Sequence, residues 1–67
     1  MKHRIDIFPA DSSKDYASHF FKDGIEAINF LAKTKFNTND RVFLLKYSHT
    51  DLDGKEIYEV VSQIETF

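Results

Sequence analysis

Residues 41–67 constrain this chain more than any other segment: two alternating apolar runs are joined by Asp51-Leu52-Asp53-Gly54. Asp-Gly between β-forming runs is a strong short-range signal for a hairpin. The first run sets Phe43, Leu45, Tyr47 and His49 against Val42, Leu44, Lys46 and Ser48. The second sets Tyr58, Val60 and Ile64 against Ile57, Glu59, Val61, Gln63 and Glu65. A two-residue turn pairs Tyr47 with Val60 and Phe43 with Ile64. A four-residue loop pairs Thr50 with Lys55, Tyr47 with Tyr58 and Leu45 with Val60. Either register joins odd positions of the first strand to even positions of the second. A slip by one residue would set Tyr47 against Glu59 and mix the faces. The expected core face is therefore Phe43, Leu45, Tyr47, Tyr58, Val60 and Ile64.

Upstream, His3 to Phe8 alternates around Ile5 and Ile7 and reads as a strand ended by Pro9, which has no N–H for a ladder. Next, Ser12 or Ser13 suits a helix cap, with Asp15 three residues after Ser12. Tyr16, Phe20, Gly24, Ile28 and Leu31 then fall on one helical stripe. The spacing predicts one helix over 12–34, bent at Gly24, with two helices meeting there as the alternative. Asn37-Thr38-Asn39-Asp40 is loop chemistry. The fold class expected is α+β: a β-α-β-β domain spanning 1–67, with one helix on one face of a three-stranded, mostly antiparallel sheet. Its first strand joins the C-terminal strand of the hairpin, as in a split β-α-β; lying parallel to the hairpin's first strand is the alternative.

A 67-residue chain makes one small domain, and one this short has a thin margin of stability. It contains no cysteine, which excludes disulfides and thiolate metal sites. Burial must come from its ten aromatic residues, seven of them Phe, or from self-association. On the sheet face left without a helix, Val42, Leu44, Lys46, Ile57, Glu59 and Val61 form the expected partner-binding surface, and a homodimer is the expected assembly.

Nine Lys and Arg against eleven Asp and Glu give no basic excess, so nucleic acid is the less favoured ligand. No apolar run approaches the roughly 20 residues of a membrane span, and Asp6, Pro9 and Asp11 interrupt any signal peptide. A cytoplasmic protein is expected. The abundance of Lys, Asn, Ile and Phe suits an AT-rich bacterial, phage or mobile-element genome.

Catalytic and metal constellations are thin. Placing Gly54 at the sixth position of a calcium loop puts His49 first and Val60 twelfth, where acidic ligands are needed. His3, His19 and His49 lack the spacing of a helical ligand pair. No Gly-x-Ser-x-Gly or phosphate-binding glycine run is present. Neither metal, cofactor nor catalytic residue is expected. Residues 41–47 echo the aromatic strand of an RNA-binding sheet, but the parity argument assigns Phe43 and Tyr47 to the core. The expected function is a non-enzymatic regulator or inhibitor that binds a larger protein. A small nucleic-acid or nucleotide-binding module using Lys2, Arg4, Lys33, Lys35 and Arg41 is the alternative.

Overall fold

The computed structural model describes residues 2–11 and 13–64. Ser12, one of the two expected helix caps, and Glu65 of the second hairpin run lie outside them. Along the chain come β1 (His3–Phe8), β2 (Ala17–Phe21), α1 (Gly24–Lys33), β3 (Arg41–Thr50) and β4 (Glu56–Ile64). The sheet has four strands, not the three expected, in the order β2-β1-β3-β4 with every neighbouring pair antiparallel. β2 and β3 therefore run parallel with β1 between them, so β2-α1-β3 is a split β-α-β unit. The expected partnership of the first strand with the hairpin's C-terminal strand is replaced by pairing with β2 and β3. Ile5, fully buried, explains that central position. No helix among the described residues is long and apolar enough to cross a membrane.

The extra strand comes from the first half of the segment read as a helix. Tyr16, Ser18 and Phe20 alternate with Ala17, His19 and Phe21, and this period of two coexists with the helical stripe. Over five residues the two patterns are indistinguishable, and pairing with β1 decides. The helix begins where a bend was expected. Asp23 is its N-cap, with a carboxylate oxygen accepting from Glu26 N at 2.9 Å, and Glu26 adds an acid to the first turn. Gly24 lets this end come close to β1, since a Cβ there would sit 3.3 Å from the His3 ring. At the other end Thr34 Oγ1 donates to the Phe30 carbonyl at 2.6 Å. Ser13 caps no helix: its N–H and hydroxyl both donate to Asp11 Oδ1, folding a turn between β1 and β2.

The helix covers the face opposite to the one expected. Ile5, Val42 and Ala27 are fully buried together, and Ile7, Phe21, Phe30, Leu31, Phe36, Leu44 and Ile64 pack around them. Branched aliphatic residues on β1 and β3 (Ile7 opposite Val42, Ile5 opposite Leu44) make a low floor, which small Ala27 allows the helix to approach closely. Phe43, Tyr47, Tyr58 and Val60 lie on the other side. Of the helical stripe expected to pack on them, only Leu31 joins the core, while Ile28 is 60% exposed and Phe20 is a strand residue.

The hairpin adopts the four-residue-loop register at Tyr47–Tyr58 and Leu45–Val60. Two bulges break the parity assumed for the whole ladder. Val61 is the extra residue between the Leu45–Val60 and Leu44–Ser62 pairs, so Ile64 moves to the helix side opposite Val42. Ser48 is the extra residue before the His49–Ile57 pair, and Thr50 meets Glu56 instead of Lys55. In the turn, Asp51 Oδ1 accepts from the N–H groups of Asp53 and Lys55, both at 2.9 Å. Gly54 has φ 83°, and a Cβ at this position would have no neighbour within 4 Å.

The turn and the helix start can each be tested through stability. Gly54→Val is expected to lose about 1–2 kcal/mol through backbone strain alone, and Gly54→Asn distinctly less. Asp23→Ala is expected to lose about 1 kcal/mol with the cap. Urea denaturation followed by circular dichroism measures both. A Gly54→Val variant as stable as the parent would refute the turn assignment.

Candidate functional site

The site emerges from the side of the sheet that α1 leaves bare. Alternation along β1 puts Arg4, Asp6 and Phe8 on this side, next to Ser18 and Phe20 from β2 and Arg41, Phe43, Leu45 and Tyr47 from β3. Tyr58 and Val60 extend it across β4.

At its centre is a polar knot. Arg4 Nη2 donates to Asp6 Oδ2 at 2.9 Å, and Ser18 Oγ donates to Asp6 Oδ1 at 2.7 Å. Arg4 Nε also lies 2.9 Å from Oδ1, but off the line a hydrogen bond needs; its buried N–H makes a charge contact only. Asp6 is 7% exposed and thus almost wholly desolvated by these partners and the flanking rings. The Arg4 guanidinium also stands 5.0 Å from the centre of the Tyr58 ring, a cation–π contact that orients it.

Aromatic clusters occupy both ends. Tyr16 stacks on Phe8 at 5.1 Å, and Phe8 meets Phe43 edge-on at 5.7 Å. At the far end Tyr58 meets Phe20 and Tyr47 edge-on, each at 5.9 Å. Lys2 lies 5.9 Å from the Tyr47 ring and is ion-paired with Glu56. The hydrogen bond from Lys2 to Glu56, then the Glu56 charge, raises the Lys2 pKa. Both groups are solvent-exposed, so the pair contributes little to stability. Rings and aliphatic groups still reach solvent: Phe20 is 64% exposed, Val60 62% and Tyr16 58%. Leu45, buried at 5% exposure, fills the floor between the clusters.

This surface is chemically suited to binding by contact. It offers planar rings and short aliphatic groups around a charge pair whose carboxylate already has its hydrogen-bond donors. The histidines stand apart: His19 packs on Phe30, His3 on Gly24, and His49 beside Ser48. Among the described residues, no three or more His, Cys, Asp or Glu side chains gather in a metal-holding arrangement.

The six residues expected to bind a partner are divided by the fold. Val42 is fully buried beneath α1 and Leu44 is half-buried against the core, so neither belongs to a bare face. Lys46, Glu59 and Val61 remain exposed and Ile57 half-exposed, because α1 makes its main contacts with β1 and β2, approaches the hairpin near Val42 and Ile64, and leaves the turn end of β3 and β4 uncovered. The five cations of the nucleic-acid reading also separate. Lys2, Arg4 and Arg41 share the open face, whereas Lys33 closes α1 and Lys35 follows it. Sequence reasoning missed Asp6, Phe8, Tyr16, Ser18 and Phe20 as site residues. The available signal was the period-two pattern of 16–21, read in phase with Arg4, Asp6 and Phe8.

The central knot yields a double-mutant prediction. Asp6→Leu leaves a largely buried guanidinium without its carboxylate and is expected to destabilise the fold by about 2–3 kcal/mol. Arg4→Met combined with Asp6→Leu should recover most of that loss. Chemical denaturation of the four proteins gives the coupling, and additive losses would show that the pair does not act as a unit.

Comparison of the chain with known protein families, with characterised proteins and with solved structures finds no match.

Proposed function

We propose that this chain is a non-enzymatic protein-binding module, a small regulator or inhibitor, and that it docks through the open sheet face. The observation that carries the reading is a broad aromatic surface left bare by the helix, with its central charges paired internally. Interface cores are enriched in Tyr, Phe and Arg and poor in unpaired charge. Phe20 and Tyr16 are rigid, exposed rings of the kind that anchor contacts. Asp6 already has its hydrogen-bond donors, so covering it orphans neither carboxylate oxygen.

One observation favours a second reading, base stacking on a single-stranded nucleic acid. Phe43 and Tyr47 lie on the open side, not in the core, and Phe20 offers an exposed ring nearby. The electrostatics oppose it. Lys2 and Arg4 already hold carboxylates, and the chain as a whole carries a net charge of −2. A nucleic-acid face draws most of its affinity from cations available to phosphates.

Affinity capture from lysate separates these readings when run with Phe20→Glu and with Ile25→Glu, an exposed helix position in the other layer. A protein retained by the parent and by Ile25→Glu but lost by Phe20→Glu is the expected result. Labelled single-stranded oligonucleotides are expected not to bind saturably. Saturable binding that falls steeply with added salt and requires Phe20 would replace the protein-binding reading with the nucleic-acid one.

A further inference from the structure

We infer that the open sheet face is the interface of a homodimer, in which two copies of the chain stack sheet on sheet about a twofold axis. The inference rests on reading this face as a protein-docking surface and names the partner as a second copy.

Burial is the first argument. Among the described residues the fully or nearly buried apolar side chains are Ile5, Ala27, Val42 and Leu45, and Leu45 already belongs to the open side. A core this small, with no disulfide to assist it, is marginal for a chain of this length. A second copy is present wherever the chain is made, so its burial needs no other protein.

Area and shape agree. The molecule measures 38 × 26 × 15 Å, and strands of up to ten residues give the open face a length of roughly 33 Å. A stacked pair that covers this face, its flanking loops and projecting rings would approach the roughly 800 Å² per partner of a standard interface. Two such sheets would stack about 10 Å apart, with the exposed rings and Val60 filling the space between them.

Charge selects both the partner and the orientation. A face that meets itself must not repel itself, and Arg4–Asp6 and Lys2–Glu56 neutralise each other within one copy. Arg41 begins β3 at one end of the sheet; Glu56 begins β4 at the other. A twofold axis in the sheet plane and across the strands exchanges the two ends. It sets Arg41 of each copy towards the Lys2–Glu56 pair of the other, in which Lys2 holds Glu56 through Oε2 and leaves Oε1 for the guanidinium, and brings each Phe8–Phe43 cluster over the other copy's Tyr47–Tyr58 cluster. The axis along the strands would instead gather both Arg41 side chains at one end of the interface. Edge-to-edge pairing is a poorer route, because the bulge at Val61 interrupts β4 and β2, the other edge, is only five residues long.

The chain itself supplies a probe. It has no Trp, and its three tyrosines (Tyr16, Tyr47 and Tyr58) all lie on the open side. Dimerisation should shield their fluorescence from acrylamide as concentration rises, in step with a monomer-to-dimer transition in sedimentation equilibrium. Phe20→Glu and Val60→Glu are each expected to weaken the dimer by roughly thirtyfold or more, and Ile25→Glu to leave it unchanged. Circular dichroism of each variant reports whether it folds, and the fluorescence assay requires no variant. A parent protein that stays monomeric to hundreds of micromolar, with unshielded tyrosines, overturns the dimer. A dimer that withstands both Phe20→Glu and Val60→Glu, or forms without shielding the tyrosines, overturns the assigned face. A monomer that still captures a different protein through Phe20 leaves the protein-docking reading standing without the dimer. Phe20-dependent oligonucleotide binding removes both.

Discussion

Everything in this structure follows from a helix of ten residues having two sides of a four-stranded sheet to choose from. Such a helix covers about two strands, since its diameter of roughly 10 Å matches two strand spacings. The close fit of Ala27 over Ile5 and Val42 makes the choice. Branched aliphatic side chains stand low and stiff, so a small residue can seat the helix axis near the sheet. Gly24 extends that approach to the His3 ring. Rings in place of Ile5 and Val42 would hold the helix away or leave voids, and close packing penalises both; Phe21, Phe30 and Phe36 pack around that contact. Once the helix is committed to the aliphatic side, the aromatic side must face water or a partner.

The two sides therefore differ in what they ask of their polar residues. Beneath the helix, apolar contact suffices. On the open side the central strand carries Arg4 and Asp6 between rings, where each charge loses much of its water. The pairing of Arg4 with Asp6, the donated bond from Ser18 and the Tyr58 ring compensate that loss locally. Their net contribution to stability is modest, as for most desolvated ion pairs. On the proposed docking reading their effect on recognition is larger: a neutral knot amid exposed rings disfavours strongly charged ligands and favours surfaces that are apolar around a weakly polar centre.

Much of the β-structure was legible from side-chain alternation, and the reasons for the failures are local. β1, the loop after α1, the hairpin and the left-handed glycine at its turn all follow from residues within a few positions of one another. Tyr47–Tyr58 and Leu45–Val60 pair as the turn chemistry implies. The segment 16–21 misleads because Tyr16, Phe20 and Phe21 satisfy a helical spacing and a strand spacing together. The Asp23-Gly24-Ile25-Glu26 start signal is present, but a stripe that stays in phase across Gly24 makes the same residues resemble a bend within a longer helix. Bulges at Ser48 and Val61 leave no mark in the alternation, so the passage of Ile64 to the helix side could not be read from parity. The inversion of the faces was hidden for a different reason. Hydrophobicity ranks Phe43, Leu45 and Tyr47 as core, whereas the helix responds to the shape of Ile5 and Val42. The site was mislaid with the face, not independently of it.

That distinction between shape and hydrophobicity also explains how a protein with so few buried residues can carry so many rings. Further rings in place of Ile5 or Val42 would enlarge the core at the cost of the fit that Ala27 provides. Placed on the open side, they bury one another only in part: Phe8 and Phe43 are half-covered, while Phe20 and Tyr16 keep more than half their surface in water. The remaining apolar area is a reserve of free energy released when the face is covered, at roughly 25 cal/mol per Å² before the entropy of association is subtracted. On the proposed docking reading, recognition is drawn from exposed rings, and the fold from the helix-side core of Ile5, Ala27 and Val42. Substitutions that improve the isolated fold by removing exposed rings would weaken binding, and those that weaken binding through Phe20 need not disturb the helix-side core. The bare face is thus separable from the scaffold that presents it, which is the physical condition for a domain of this size to retain its fold while its surface is given over to contact.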